Sequence, residues 1–343
     1  MTATISDTLL DWYDAHARAL PWRNAPGAPP PNDDAWPYRV WLSEVMLQQT
    51  TVAAVKPYFE KFTRIWPTVF DLAGASDEDV MAAWAGLGYY SRARNLVKCA
   101  RVVAQMGGFP ETEAELLKLP GLGAYTAAAI ASIAFGQRAV VVDANVERVV
   151  SRLFNIEEPL PGSRKAIREK TDTITPEVRA GDFAQSMMDI GSQICTSKAP
   201  RCLLCPLSDV CEGRAAGEPE RLPVKPAKKA KPERRGTAFW IEREERVWLV
   251  KRPGTGMLGG MRSLPDDGWS ARSNGCDAAP LEGEMTSLGA VRHTFTHAHL
   301  TLELVRIDGA AVPSGEGEWW PLSEIEAAGL PTLFAKAARL ALA

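Results

Sequence analysis

Long apolar runs are missing from this chain of 343 residues. Nowhere does a segment approach the roughly 18 successive apolar positions that a membrane span needs. The N-terminus shows no charged, apolar and small-residue succession of a secretory leader. A cytoplasmic protein with no membrane partner is therefore expected. Charge of one sign is missing as well, since the formal net charge is only −3. Bulk electrostatics do not announce a nucleic-acid partner, although backbone amides can hold phosphates without basic side chains. What is present is ordinary for a globular chain: 46% hydrophobic and 24% charged residues, at a length that suits two domains with a core each. Of six cysteines, Cys99 and Cys276 stand alone, while Cys195, Cys202, Cys205 and Cys211 crowd into one short stretch.

The first two-thirds reads as helical. An amphipathic helix falls within residues 1–20, with Leu9, Leu10, Trp12 and Tyr13 opposed to Asp7, Asp11 and Asp14, and Pro21 stops it. Asn24 to Pro37 reads as a proline-rich surface loop. From Arg39 to Phe62 an apolar stripe of Trp41, Val45, Val52, Val55, Phe59 and Phe62 predicts one continuous helix. Glu44, Gln48 and Thr51 share its other face, which is either a pocket wall or a solvated surface. After Gly86-Leu87-Gly88, the residues Tyr89, Tyr90, Arg92 and Arg94 suit either a clamp on nucleic acid or plain core packing. Gln185 and Asp189 sit at i, i+4 in a helix otherwise rich in Phe, Met and Ile.

The stretch from Leu116 to Phe154 carries the strongest local signal. Pro120-Gly121-Leu122-Gly123 is a tight turn whose exposed amides lead into the small-residue helix Tyr125–Phe135. Orphan N–H groups and the helix dipole at such a place favour an anion such as phosphate. The apolar run Val140–Val142 then delivers Asp143 to the start of the next helix. Asp143 reads as a helix cap or as an acid placed for chemistry.

Composition changes at Pro223. Residues 223–235, rich in Lys, Arg and Pro, read as an extended linker between a domain at 1–222 and another at 236–343. Beyond the linker the period turns to two. Residues 237–241 and 246–250 predict a hairpin. Between His293 and Val305 a strand is expected with Ala298, Leu300, Leu302 and Leu304 on one face and Phe295, His297, His299, Thr301 and Glu303 on the other. Ser323-Glu324-Ile325-Glu326 reads as the capped start of a last helix. This is a smaller α+β domain.

The cysteines are spaced x6, x2 and x5 apart. Structural zinc sites usually pair two CxxC-type knuckles across a longer loop. One CxxC flanked by single cysteines suits an iron–sulfur cluster, most simply [4Fe–4S], with zinc the alternative.

That loop, together with Leu119–Gly123 and Val142–Val146, resembles the helix-hairpin-helix DNA glycosylases, the superfamily of endonuclease III. Leu20-Pro21-Trp22-Arg23, the run Trp41–Thr50, Gly86–Arg92 and His293–His297 are similar to its adenine-excising family, and the resemblance covers nearly the whole chain. It implies a two-lobed, mainly α glycosylase domain with a [4Fe–4S] cluster on Cys195, Cys202, Cys205 and Cys211, followed by a Nudix-like α+β domain. The implied substrate is adenine opposite 8-oxoguanine or guanine in double-stranded DNA, flipped out for cleavage by a monomeric enzyme. Glu44 falls on the family's general acid and Asp143 on the carboxylate at the sugar, with Tyr125 and Asn145 assisting. Trp22, Arg23 and Gln185 fall around the adenine. Gln48, Gln49, Thr50, Tyr89, Gly121 and Gly123 fall on the DNA side, Gln49 and Tyr89 as wedges. Phe295, Thr296 and His297 match the loop that reads 8-oxoguanine, with Thr in place of Ser. Position 125 bears tyrosine where the bifunctional relatives have lysine, which implies base removal without strand cleavage. No glutamate-rich Nudix box is present, so pyrophosphatase activity is not expected. An endonuclease III-type glycosylase/lyase and a non-catalytic iron–sulfur DNA-binding protein are the rival readings.

Overall fold

The computed structural model describes residues 4–226, 230–253, 257–276, 278–295, 297–309, 313 and 315–343. The chain divides into two compact units, residues 1–227 and 228–343. Among the described residues no helix is long and apolar enough to cross a membrane.

The first unit is built from helices, several with caps legible in the chain. Helix α1 (Ile5–His16) opens on a capping box in which Thr4 and Asp7 satisfy each other's backbone N–H. Helix α2 (Ala35–Leu47) is buried nearly all round, from Trp36 to Met46, with Ser43 and Glu44 carried inside it. It starts within the expected 24–37 loop, because Trp36 and Tyr38 have a core to enter. The single helix expected over 39–62 is in fact two. Gln48 ends α2, Gln49 turns left-handed at φ +58°, and Thr51 caps α3 (Val52–Ile65) by accepting the Ala54 N–H. Thr51 therefore leaves the face of Glu44.

Helices α4 (Val69–Gly74), α5 (Asp77–Trp84), α6 (Tyr90–Met106) and α7 (Glu113–Leu116) follow. Then come α8 (Ala124–Phe135), α9 (Ala144–Leu153), α10 (Arg164–Ile174) and α11 (Ala180–Gln193). Nine of the twelve residues of α8 are buried. A helix apolar on every side belongs at the centre, and α8 packs against both α2 and α11. Small side chains make this approach feasible. At Gly191 of α11, an added Cβ would lie 2.6 Å from Asn145 Cβ, so the glycine lets α11 press on the start of α9. After α11 come the cysteine loop and the short α12 (Glu212–Ala215).

The second unit holds two small sheets. Strand β1 (Glu233–Trp240) pairs in parallel with β6 (His299–Asp308), which pairs antiparallel with β5 (Glu284–Thr294). In the other sheet, β3 (Arg246–Lys251) lies between β2 (Glu242–Arg243) and β7 (Gly317–Pro321) and also pairs with β4 (Arg262–Ser263). The tight hairpin is thus β2–β3, and residues 237–241 pair elsewhere. Strand β1 also takes residues 233–235 from the expected linker. The expected strand from His293 is a hairpin end: β5 stops at Thr294 and β6 starts at His299, so Phe295 and His297 lie in the turn rather than on a strand face. Ala298, Leu300, Leu302 and Leu304 are buried as the alternation requires. Residues 322–328 form a 3₁₀ turn without a side-chain cap, and the last helix, α13 (Thr332–Ala341), starts later. Trp240, Trp269, Leu249 and Phe334 centre this unit's own core.

Candidate active site

One cleft of about 1230 Å³ opens into the first unit, and elements distant in sequence line it. Trp22 and Arg23 come from the segment after α1, Glu44 from α2, and Gln48, Gln49 and Thr50 from the break before α3. Tyr125 comes from α8, Asp143 and Asn145 from the start of α9, and Gln185 from α11. Ten of the expected site residues thus meet on one concave surface.

Glu44 is 6% exposed, and burial pushes its carboxyl up to about 7. The Tyr125 hydroxyl donates to Glu44 Oε2 at 2.5 Å and pulls in the opposite direction; Asp143 raises the carboxyl further and Arg23 lowers it. Burial also pushes the Tyr125 phenol well up, so it stays a donor. The pocket-wall reading of Glu44 therefore holds over the solvated one.

Asp143 serves as cap and faces the cleft at once. Its Oδ1 accepts the Val146 N–H at 2.7 Å, and its Oδ2 accepts Asn145 Nδ2 at 2.8 Å. Burial raises its carboxyl, while these donors favour the charged form. Two carboxyls of unlike environment thus share one cleft: Glu44 has a single hydroxyl donor, Asp143 two N–H donors. Arg148 braces Asn145 by donating to its Oδ1 at 2.9 Å and to the Gly191 carbonyl at 2.6 Å.

Trp22 is buried edge-on against Phe59, with ring centroids 5.2 Å apart. Gln185 is buried and donates weakly to the Gly181 carbonyl at 3.4 Å, and Gln48 reaches Thr126 Oγ1 at 3.3 Å. Gln49 and Tyr89 are exposed and left-handed, at φ +58° and +49°. Two non-glycine residues thus sit in a sparsely populated backbone conformation.

Tyr89, Gly121 and Gly123 do not line the cleft. Gly121 has φ +79° and sits so close to Asn95 that a Cβ would meet it at 2.8 Å. Gly123 is an exposed N-cap of α8 that offers no side chain to the helix's first amides. Arg92 is not a nucleic-acid clamp. It is buried, donates to the Val45 and Met46 carbonyls at 3.1 and 2.8 Å and to Thr50 Oγ1 at 3.0 Å, and so ties the 48–50 turn to α6.

Several residues escape a reading of the chain alone. Arg18 joins Arg23 on Asp189, the acid already noted in the chain, and Arg148 and Arg152 hold the cysteine loop. A hint lay at Asp189, an acid in a run of apolar residues that burial obliges to find a cation.

The four cysteines lie half-buried between α11 and α12. Burial pushes the Cys205 thiol up to about 11, and the other three cysteines add to the push. Arg152 donates to Cys195 Sγ at 3.3 Å, and Arg148 donates to the Cys195 carbonyl at 2.7 Å. Thiols crowded together beside guanidiniums fit a site that binds them as thiolates. Among the described residues, no three or more His, Cys, Asp or Glu side chains close on the position of a single metal ion.

In the second unit, Phe295 rests against His293 with ring centroids 4.5 Å apart, and its backbone N–H donates to the Ala298 carbonyl at 2.8 Å. His297 is exposed, and Thr296 lies outside the described residues.

An acid hydrogen-bonded to a tyrosine, in a cleft shared with a second carboxyl, suits acid-assisted cleavage of a glycosidic bond, and similarity to known proteins places the chain among the base-excision DNA glycosylases. Accordingly, residues 42–176 match the HhH-GPD superfamily base excision DNA repair proteins, and residues 237–340 match the NUDIX domain. Over 62% of its length the chain superposes on a thermostable thymine-DNA glycosylase, with a TM-score of 0.54 at 30% identity and 95% of that chain covered. A non-covalent endonuclease III–DNA complex gives a TM-score of 0.51 at 26% identity, covering 62% of this chain and 94% of that one. The adenine DNA glycosylase of Homo sapiens is 34% identical over 97% of this chain and 73% of its own length. The chain belongs to the adenine DNA glycosylase family.

Proposed function

We propose that the protein removes adenine mispaired with 8-oxoguanine, or with guanine, from duplex DNA by hydrolysis of the N-glycosidic bond, leaving the strand uncut. The observation that carries this reading is the 2.5 Å contact between Tyr125 and Glu44 in a cleft shared with Asp143. An adenine is a poor leaving group until it is protonated. Glu44, buried and still holding its proton near neutral pH, is placed to supply that proton as the bond to the sugar lengthens. Positive charge then grows on the sugar, and Asp143, oriented by Asn145 and the Val146 amide, stabilises it as a carboxylate. Water completes the hydrolysis, and free adenine and an abasic sugar result. Trp22, Arg23 and Gln185 form the walls that receive the flipped base. Strand cleavage by β-elimination needs an amine to form an imine. Tyrosine at 125 offers none, and no lysine lines the described cleft.

Gln49 and Tyr89 are assigned to wedging the duplex, and Gly121 and Gly123 to holding its phosphates on backbone amides. The superposition on an endonuclease III–DNA complex supports a duplex substrate. Phe295, Thr296 and His297 of the second unit are assigned to reading the opposite base. Cys195, Cys202, Cys205 and Cys211 are assigned to a [4Fe–4S] cluster, which when bound cross-links the loop 195–211 through four iron–thiolate bonds.

The deciding assay uses duplexes with adenine opposite 8-oxoguanine, adenine opposite guanine, and thymine glycol. Adenine release from the first two without a strand break is expected. Scission without added base or heat, or release from thymine glycol alone, sinks the proposal. Visible absorbance with four irons and four sulfides per chain is expected of the purified protein; stoichiometric zinc would replace the cluster assignment.

A further inference from the structure

Arg23, assigned above to the base-receiving wall, belongs to a charge cluster whose other members, Asp189 and Arg18, the mechanism does not use. Asp189 of α11 is wholly buried. Arg23 grips it with both ends of its guanidinium, Nη1 to Oδ2 at 2.6 Å and Nη2 to Oδ1 at 2.8 Å. Arg18 adds Nε to Oδ1 at 2.6 Å and its backbone N–H to Oδ2 at 3.2 Å. Burial would push the Asp189 carboxyl up, but the bonds and charges of Arg23 and Arg18 outweigh it and hold it low. The Arg23 side chain is 6% exposed and that of Arg18 26%, so solvent screens Arg18 far more.

We propose that Asp189 is a positioning residue for this cleft: by fixing the plane of Arg23 and neutralising its charge, it keeps Glu44 beside an ion pair rather than beside a bare cation. The inference rests on Glu44 being the acid of the reaction. Of the groups lining the cleft with Glu44, which include Arg18, Glu147 and Arg148, those that act on its carboxyl are Tyr125 from α8, through its hydrogen bond, Asp143 at the start of α9 and Arg23 from the segment after α1. Tyr125 and Asp143 are fixed by their own bonds, which leaves Arg23 as the cation whose effect another residue controls. Arg23 already draws the Glu44 carboxyl downward while paired. Unpaired in a buried site, it would draw harder, since an opposite charge favours ionisation more strongly where water is excluded. Glu44 would then lose, near neutrality, the proton it is there to give. Tyr13, whose ring lies 5.9 Å from the Arg23 guanidinium, is kept protonated by burial and cannot replace the anion.

The predictions have opposite signs at two positions. In Asp189→Asn the amide keeps shape but not charge, so Arg23 is left unbalanced and the Glu44 titration moves down by about half a unit to one unit. In Arg18→Met the remaining Arg23–Asp189 pair is neutral, so the same titration moves up. Glu44 is followed in the free full-length protein by carbon NMR of labelled glutamate carboxyls. The pH dependence of single-turnover adenine release is followed in parallel. Asp189→Asn combined with Arg23→Met should return the NMR midpoint towards that of the parent. A role confined to folding would lower amplitude or melting temperature without moving midpoints in opposite directions. Unmoved midpoints, or movement of both in one direction, overturn the inference. If Asp189→Asn does not fold, the upward shift in Arg18→Met decides alone. Should the NMR midpoints move as stated while release shows no matching limb, the fault lies with Glu44 as the acid and not with Asp189.

Discussion

At the scale of residues, the proposed mechanism asks one carboxyl, Glu44, to hold its proton while Asp143, which burial also pushes up, is drawn back by its N–H donors. Glu44 binds its proton up to about pH 7 in the folded protein and to about 4.5 when unfolded. Excision carried by the protonated form should therefore fall as pH rises through about 7. Stability moves with it: the folded state binds the extra proton between these values, so stability declines across that window and stays lower above it. Glu44→Gln should bind mismatched duplex as the parent does and release adenine about 10²–10⁴-fold more slowly. It should also be more stable to unfolding than the parent at pH 8, by about 1–3 kcal/mol, with no difference below pH 4.5. Substantial residual turnover would remove Glu44 from its assignment. Tyr125→Phe tests the neighbouring contact. The lost hydroxyl no longer favours the Glu44 carboxylate, so the pH limb should shift upward, and a downward shift in the rate profile would contradict the bond's assigned sign.

At the scale of elements, what was legible in the chain was what local physics sets. The turn Leu119–Gly123, the cap at Asp143 and the burial alternation of β6 all follow from residue type over a few positions. The break at Gln48–Thr50 was not legible. Its apolar stripe continues in helical register from Trp41 to Phe62, and the interruption is held by Arg92 from α6, forty-odd positions away, through carbonyls and Thr50. The identity of the site residues came through resemblance, whereas the brace behind them needed coordinates: Arg148 on Asn145, and Gly191 beneath it. Gly191 gives the test at this scale. A methyl group there would strike Asn145 Cβ and press the start of α9 away from α11, loosening the donor on Asp143. Gly191→Ala should slow adenine release by about 10–100-fold while binding changes little, because misplacement of a reacting group costs rate before it costs affinity. Gly123→Ala is the comparison, since its φ of −96° suits alanine and nothing lies within 4 Å of the new Cβ. It should fold and melt like the parent. Equal release rates in Gly191→Ala and the parent would show that the brace is not needed.

At the scale of the whole molecule, each unit has a core of its own. Trp41, Trp84, Phe59 and Phe62 belong to the first, and Trp240, Trp269, Leu300 and Phe334 to the second, and neither cluster draws on the other's residues. The cleft is likewise lined by first-unit residues throughout. Breaking the glycosidic bond should therefore need the first unit alone, and telling 8-oxoguanine from guanine the second. A chain ended at residue 226 should keep its visible absorbance and release adenine from both mispairs. Its rate ratio between adenine opposite 8-oxoguanine and adenine opposite guanine should fall towards one, since Phe295, Thr296 and His297 are gone. Single-turnover rates on both duplexes, for the full and shortened chains, measure this directly. A folded shortened chain that releases nothing would show that the cleft is not sufficient by itself. An unchanged ratio would take the reading of the opposite base away from the second unit and return it to the exposed, left-handed pair Gln49 and Tyr89, proposed above as the wedges of the first unit.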